Sequence, residues 1–142
     1  MNNSQIISKE IVPLITNATG IRISPIHEKS LEKYLEKAAQ EKSMSFSDYC
    51  KLLIPNTKEF ENLINAATTN ETYFFREKNQ FEFLQNKVFP FYRGKKLTIW
   101  CGACSSGEEP ISLLALSKLC GVKAKVFASD IDSNELNFFK KG

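Results

Sequence analysis

Residues 100–109, with the sequence W-C-G-A-C-S-S-G-E-E, constrain the fold of this chain more than any other segment. A strand-like apolar run at 96–100 leads into them, and an apolar pattern at helical spacing follows over 110–119. Small side chains and glycines at such a turn let a ligand approach the backbone, and the start of the following helix presents free N–H groups. The segment is therefore a candidate ligand-binding turn between a strand and a helix.

The two glutamates after Gly107 indicate which class of ligand this turn suits. Gly102 and Gly107 have the spacing of a phosphate-binding loop, but such a loop continues with lysine, whereas this chain continues with Glu108 and Glu109. Two carboxylates repel a triphosphate and suit cationic or hydroxyl groups. Asp130 closes the next strand-like run, 23 residues after Gly107, where an acid normally holds a ribose. A nucleoside that carries positive charge fits these acids, and S-adenosylmethionine is the common metabolite of that description.

Two other interpretations of this turn carry less weight. The dipole of a helix also stabilises acidic residues in its first turn, which could explain Glu108 and Glu109. That effect does not explain Asp130 at the end of the next strand. Cys101 and Cys104 form a C-x-x-C pair, yet neighbouring glutamates are expected to raise the pKa of a thiol instead of activating it. Cys50 and Cys120 are isolated, whereas a zinc site needs a second close pair. We predict neither a redox site nor a metal site.

Composition excludes several classes of protein. The 142 residues, 42% of them hydrophobic, suffice for one packed domain or two small ones. The net charge of +3 is mild, and no dense Lys/Arg stripe suggests a nucleic-acid partner. No apolar run approaches the length of a membrane span, and the N-terminus lacks the core of a signal peptide. The sequence predicts a cytoplasmic protein without direct membrane insertion.

The pattern of predicted secondary structure changes near residue 68. Before this point apolar residues recur at helical spacing and predict helices over 6–15, 28–42, 46–54 and 57–67. After a segment of hydroxyl, amide and aromatic residues at 68–77, the predicted elements are a helix closed by Pro90, strand 96–101, helix 109–120, strand 123–129 and helix 133–140. This β-α-β-α order begins a parallel doubly wound sheet, in which Trp100 and Phe127 are expected to be core residues.

Three motifs resemble one family. Residues 70–77 (N-E-T-Y-F-F-R-E) are similar to the N-x-T-x-F-F-R-E signature of the chemotaxis receptor glutamate O-methyltransferases, the CheR family. Residues 104–110 (C-S-S-G-E-E-P) resemble its C-S-S/T-G-E-E-P loop, and residues 128–132 (A-S-D-I-D) resemble its A-S/T-D-I-D strand end. The motifs occur in the family's order, and the helical part with residues 46–49 (F-S-D-Y) also resembles the family's N-terminal domain. The resemblance covers essentially the whole chain.

The resemblance implies a fold and a function. We expect an all-helical N-terminal domain over 1–67 and, over 68–142, the first part of a Rossmann-like S-adenosylmethionine-dependent methyltransferase domain. The implied reaction is methylation of glutamate side chains on methyl-accepting chemotaxis receptors, with S-adenosyl-L-methionine as the cofactor. The cytoplasmic domains of those receptors are the implied partners, and a monomer is expected.

The resemblance also implies roles for individual residues. Asn70, Thr72 and Arg76 are expected to contact or orient the cofactor near its methyl group. Glu109 or Glu108 is expected to contact the amino-acid portion or the ribose, and Asp130 the ribose hydroxyls. Which of the two glutamates makes that contact stays open.

Arg76 is the expected catalytic residue. An acceptor glutamate is already ionised at neutral pH, since its unperturbed pKa is about 4.3, so the transfer needs positioning and removal of water more than a strong base. A guanidinium matches a carboxylate bidentately and suits that task. The alternative for Arg76 is a salt bridge to Glu71 or Glu77.

The chain also departs from the family's pattern. It stops at Gly142, whereas the family continues with further strands, an Asn-Val-Leu-Ile-Tyr-Phe-like motif, a tyrosine near the methyl group and a small β-subdomain. Ile111 stands where the family usually has tyrosine, and Lys29, Lys33 and Lys37 replace an arginine-rich helix face. We therefore expect weak cofactor binding and poor turnover. Two other hypotheses stay open: a catalytically inactive partner-binding remnant, and a methyltransferase of this fold with another acceptor.

Overall fold

The computed structural model describes residues 2–141, which form two compact units. The first unit ends at Thr69 and the second begins at Asn70. Among the helices of these described residues, none is both long enough and apolar enough to cross a bilayer.

The first unit is all-helical, as the apolar spacing predicts. Gly20 ends the N-terminal helical segment with φ of 78°, a left-handed conformation that glycine adopts without a steric penalty. The elements of the unit are α1 Asn3–Ile6, a π-helical stretch Ile7–Ile11, α2 Val12–Thr19, α3 Pro25–Glu41, α4 Phe46–Cys50 and α5 Lys58–Ala67. The core lies between the apolar stripes of these helices, where Ile15, Leu35 and Leu63 are fully buried.

Two boundaries in the first unit differ from the prediction. Helix α3 begins at Pro25, three residues earlier than expected, because proline is well suited to the first turn of a helix. Helix α4 ends at Cys50, not at residue 54. The N–H of Leu53 bonds the carbonyl of Cys50, and the N–H of Ile54 bonds that of Leu52, so the backbone tightens into turns. The residue before a proline also disfavours the helical conformation, and Pro55 follows directly.

The second unit contains the predicted β-α-β-α order. Its elements are α6 Lys78–Phe83, a π-helical stretch Leu84–Val88, a 3-10 helix Phe89–Tyr92, β1 Lys96–Gly102, α7 Glu108–Leu119, β2 Lys123–Ser129 and α8 Ser133–Lys141. Strands β1 and β2 pair in parallel, from Lys96 opposite Lys123 to Gly102 opposite Ser129. The fold class, a helical N-terminal part followed by an α/β part with a parallel sheet, is confirmed.

The two faces of the sheet differ in burial. Ile99 of β1 and Val126 of β2 pack against a buried cluster to which α7 contributes Leu113 and Leu116. The alternate residues point to the opposite face, as the two-residue period of a strand requires. Trp100 is 76% exposed and Phe127 is 51% exposed, so the expectation that both are core residues is wrong. Trp100 lies outside the cluster, and its Nε1 donates to Ser129 Oγ at 3.0 Å.

Candidate functional site

Four of the predicted site residues lie around the carboxyl ends of β1 and β2, where open parallel sheets bind their ligands: Asn70, Glu108, Glu109 and Asp130. The turn after β1 has left-handed φ values at Ala103 (58°), Ser105 (46°) and Gly107 (103°). The N–H of Cys104 donates to the carbonyl of Ser129 at 3.0 Å, which fastens this turn to the end of β2. Such conformations persist at non-glycine residues only when the surroundings hold them. The turn therefore has a defined backbone conformation that its contacts hold in place.

Asp130 holds the turn through both of its carboxylate oxygens. Oδ2 accepts the N–H of Ser105 at 2.7 Å, and Oδ1 accepts the N–H of Asp132 at 2.8 Å. Bonds to a charged acceptor are the stronger kind, so Asp130 fixes the turn after β1 and the connection to α8 at once. An ionised carboxylate has about four acceptor positions, which leaves capacity for ligand hydroxyls.

Asn70 lies beside the same group of residues. Its Nδ2 donates to Asp132 Oδ2 at 2.7 Å and lies 3.4 Å from Glu135 Oε1. Its carbonyl oxygen accepts from Ser105 Oγ at 3.4 Å. Asn70 and Asp130 therefore share two neighbours, Ser105 and Asp132, although they are far apart in sequence. The structure brings these two predicted residues together.

Glu108 and Glu109 open helix α7 and differ in their partners. Glu108 is half-buried, and its Oε2 accepts from Ser106 Oγ at 2.8 Å. Glu109 is exposed, and its Oε1 accepts from the thiol of Cys101 at 3.0 Å. Both residues lie in the first turn of α7, at the positive end of the helix dipole. Glu109 has the more accessible carboxylate of the two.

Arg76 and Thr72 lie in the loop that joins the beginning of the unit to α6. Arg76 is exposed, and its Nη1 donates to the carbonyl oxygen of Glu71. The contact is with the backbone, not with the carboxylate that the salt-bridge alternative requires. Thr72 is half-buried. This hydrogen bond of the Arg76 guanidinium stays within the loop and does not connect it to Asn70 or Asp130.

Residues 70–142, about half of the chain, match the sequence model of the family described as "CheR methyltransferase, SAM binding domain". The chain belongs to the CheR methyltransferase family. A chemotaxis protein methyltransferase of Borreliella burgdorferi is 31% identical over 148 residues, which cover 93% of this chain and 52% of the relative. Chemotaxis protein methyltransferase Cher2 of Pseudomonas putida is 42% identical over 94 residues, covering 58% of this chain and 34% of the relative. The chain thus spans about half, or less, of the length of these relatives.

The cofactor of this CheR domain is S-adenosylmethionine, and the residues present fit it. The cofactor carries a sulfonium, an ammonium and two ribose hydroxyls, which are cationic groups and hydrogen-bond donors. The edge of the sheet presents acceptors in return: the carboxylates of Asp130, Glu108 and Glu109, with the backbone of the turn close by. A phosphate ligand would meet repulsion at the same place. The absence of the lysine that phosphate loops carry is consistent with this donor and acceptor arrangement.

Sequence reasoning missed two residues that organise this CheR site. Asp132 is 2% exposed, and its Oδ1 accepts the N–H groups of Asn134 at 2.9 Å and Glu135 at 3.3 Å, which caps α8. The order Asp132-Ser133-Asn134-Glu135 resembles a capping box and would have identified the cap. Ser112 is fully buried in α7, and nothing in the sequence pattern distinguishes it from any other small helical residue.

The C-x-x-C pair has the electrostatics of inert thiols. Burial, followed by the hydrogen bond and charge of Glu109, raises the pKa of Cys101 to about 12. Burial, followed by the charge of Asp130, also raises the pKa of Cys104. Both thiols are free. The expectation that neighbouring glutamates raise the thiol pKa is confirmed for Cys101, although burial contributes more.

We expect Cys101 to react very slowly with thiol reagents near pH 8. A rise in pKa from 9.0 to about 12 leaves about a thousandfold less of the reactive thiolate at a given pH. Pulse alkylation followed by mass spectrometry of the peptides should therefore label the half-buried Cys120 long before Cys101. Glu109→Gln removes a charge that raises this pKa and should accelerate labelling of Cys101, whereas Glu108→Gln should not. Equal labelling rates in these two variants would contradict the assignment.

Proposed function

We propose that this chain acts in the S-adenosylmethionine-dependent methylation of glutamate side chains on methyl-accepting chemotaxis receptors. One observation carries the proposal: the three motif segments, 70–77, 104–110 and 128–132, are joined by hydrogen bonds at the carboxyl edge of the sheet. Ser105 connects the second motif to Asp130 and to the carbonyl of Asn70. The N–H of Phe75 connects the first motif to α7 through Ser112. Family membership and the donor and acceptor arrangement of the site support the same reaction.

The proposed cofactor contacts follow from the placement of each acceptor. Asp130 accepts from the ribose hydroxyls with the acceptor positions that its two backbone bonds leave. Glu109 is exposed at the start of α7 and accepts from the ammonium group or a ribose hydroxyl, with Glu108 as its alternative. Asn70 and Thr72 orient the cofactor near its methyl group. When bound, the cofactor supplies an electrophilic methyl group on a sulfonium.

Arg76 is proposed to orient the acceptor carboxylate. Its guanidinium has five N–H donors, and Nη1 is engaged with the carbonyl of Glu71. The other donors suffice for a bidentate pair with a glutamate side chain, which is ionised at neutral pH and needs no strong base. Pairing with Arg76 also replaces water around that carboxylate. The acceptor carboxylate must also be aligned with the methyl group of the cofactor. The loop that carries Arg76 is held at Asn70 and at Phe75, which reduces the entropic cost of that alignment.

The proposal includes an organisation and a set of partners. Residues 1–67 form a helical N-terminal domain. Residues 68–142 form the first part of the methyltransferase domain, which carries the proposed contacts to the ribose, the ammonium group and the methyl region of the cofactor. The partners are the cytoplasmic domains of chemotaxis receptors, and the protein works as a monomer in the cytoplasm. The relatives named chemotaxis protein methyltransferases support the choice of chemotaxis receptors as partners.

Methyl transfer to purified receptor cytoplasmic domains tests the proposal. Incubation with methyl-labelled S-adenosylmethionine should give protein-bound label that mild alkali releases, because glutamyl methyl esters hydrolyse readily. Arg76→Gln should reduce the label at least about tenfold, since it removes a charged hydrogen-bonding group from the acceptor site. Arg93→Gln is the matched control, because Arg93 is an exposed arginine of the same unit outside the three motifs.

Two results would contradict this function. Alkali-stable label would identify another acceptor. Cofactor and receptor binding without any label would favour an inactive binding module.

A further inference from the structure

One buried hydroxyl joins the loop of Arg76 to the helix of the two glutamates. Ser112 is 0% exposed in the second turn of α7. Its Oγ donates to the carbonyl of Glu108 at 2.6 Å and accepts the N–H of Phe75 at 3.0 Å. The same oxygen therefore contacts the first residue of α7 and the residue immediately before Arg76.

The loop needs such a contact because its backbone is strained. Phe75 and Glu77, on either side of Arg76, have φ values of 55° and 59°. Left-handed conformations are costly for residues with a Cβ, and they persist when the surroundings determine them. Two contacts do so at Phe75: the bond from its N–H to Ser112, and the edge-to-face packing of its ring on Phe81, with centroids 5.3 Å apart.

We propose that Ser112 is a positioning residue for methyl transfer: its hydroxyl fixes the backbone at Phe75, and thereby Arg76, relative to Glu108 and Glu109. This inference rests on the proposed function, because it assigns Arg76 and the glutamates to one site. Without the hydroxyl, the N–H of Phe75 loses its acceptor, and Phe75 keeps only its ring packing on Phe81. The Arg76 guanidinium then samples more positions, and the cofactor contacts expected from Asn70 and Thr72 weaken with it.

Helix α7 supplies a matched comparison in Ser117. Ser117 is 2% exposed, and its Oγ also donates to a carbonyl of its own helix, that of Leu114, at 2.8 Å. Both serines are thus buried, helical and bonded to the helix backbone. They differ in that Ser112 also accepts the N–H of Phe75. If Ser117→Ala reproduces an effect of Ser112→Ala, that effect comes from the lost hydrogen bond within α7 and not from the lost contact with Phe75.

The test uses the whole 142-residue protein labelled with ¹⁵N. Ser112→Ala should accelerate hydrogen exchange of the Phe75 amide by about tenfold or more, because the amide then lacks the hydrogen-bond acceptor that protects it. The same variant should weaken binding of S-adenosylhomocysteine, followed by chemical-shift titration, several-fold. Ser112→Thr keeps the hydroxyl and should restore both values. Ser117→Ala should change neither by more than about twofold.

The outcomes separate the inference from the function on which it rests. Unchanged Phe75 exchange in Ser112→Ala, or equal effects of the two alanine variants, would overturn the positioning role. A wild-type protein that shows no shift with S-adenosylhomocysteine would contradict the proposed function instead. Ser112→Cys, with a weaker sulfur acceptor, should give an intermediate exchange rate and replaces the alanine variant if that one does not fold.

Discussion

Gly107→Ala is expected to destabilise the second unit by about 3 kcal/mol, the sum of a backbone strain and a steric overlap. Gly107 has φ of 103°, a conformation that side chains with a Cβ rarely adopt. A Cβ at this position would also lie 2.1 Å and 2.3 Å from ring atoms of Phe139 on α8. Neither the helix start nor the ring can remain in place, so the turn that carries Glu108 and Glu109 must move.

The sequence contains a control for this substitution. A Cβ added to Gly102 would find its nearest neighbour, an atom of the Trp100 ring, at 3.6 Å, and the backbone of Gly102 lies outside the left-handed region. Gly102→Ala should therefore cost less than about 1 kcal/mol. Urea unfolding followed by Trp100 fluorescence measures both variants, because the chain has a single tryptophan and it lies in the second unit. A loss in Gly107→Ala as small as the one expected for Gly102→Ala would show that the turn tolerates a side chain.

A double variant separates the two causes. Phe139→Ala removes the ring atoms that overlap the new Cβ but leaves the backbone strain at residue 107. In that background Gly107→Ala should cost about 1 to 2 kcal/mol, the strain alone. An undiminished cost would assign the whole effect to the backbone and none to Phe139.

The strand–turn–helix at Gly107 is also the part of the fold that the sequence predicts best. Its determinants are local: an apolar run before the turn, small residues within it, and acids at the start of a helix. The bounds of β2 and α8 follow from similarly local patterns. The spacing from Gly107 predicts Asp130 at a strand end, and the structure adds its two backbone bonds.

The features that the sequence did not predict depend on contacts between residues far apart in the chain. Apolar strand residues such as Trp100 and Phe127 usually face a core, but their burial depends on what packs over each face of the sheet. Ser112 escapes prediction for the same reason, since its second partner is Phe75, 37 residues away in sequence. Arg76 is a different case: its guanidinium contacts the Glu71 carbonyl within the same loop, not the Glu71 carboxylate that the less favoured salt-bridge alternative requires. Periodicity describes one element at a time and carries no information on these pairings.

Asp130→Asn is expected to weaken binding of S-adenosylhomocysteine about 100-fold, which is the effect of losing charge on an acceptor of two hydrogen bonds. An asparagine at this position would keep one acceptor oxygen for the N–H of Ser105 or of Asp132, but not for both. The turn after β1 loosens as a result, and the negative charge that favours ribose hydroxyl donors is gone. Asp48→Asn, which changes an exposed carboxylate of the first unit, should leave the affinity unchanged.

A modified ligand distinguishes the direct effect from the loosened turn. The 2′,3′-dideoxy analogue of S-adenosylhomocysteine lacks the hydroxyls proposed to bind Asp130. The wild-type protein should prefer the normal ligand strongly, whereas Asp130→Asn should lose most of that preference, because the two changes remove the same interaction. If the variant discriminates between the ligands as well as the wild type does, Asp130 acts only on the turn. Its two short bonds to Ser105 and Asp132 would then be its whole contribution to the site.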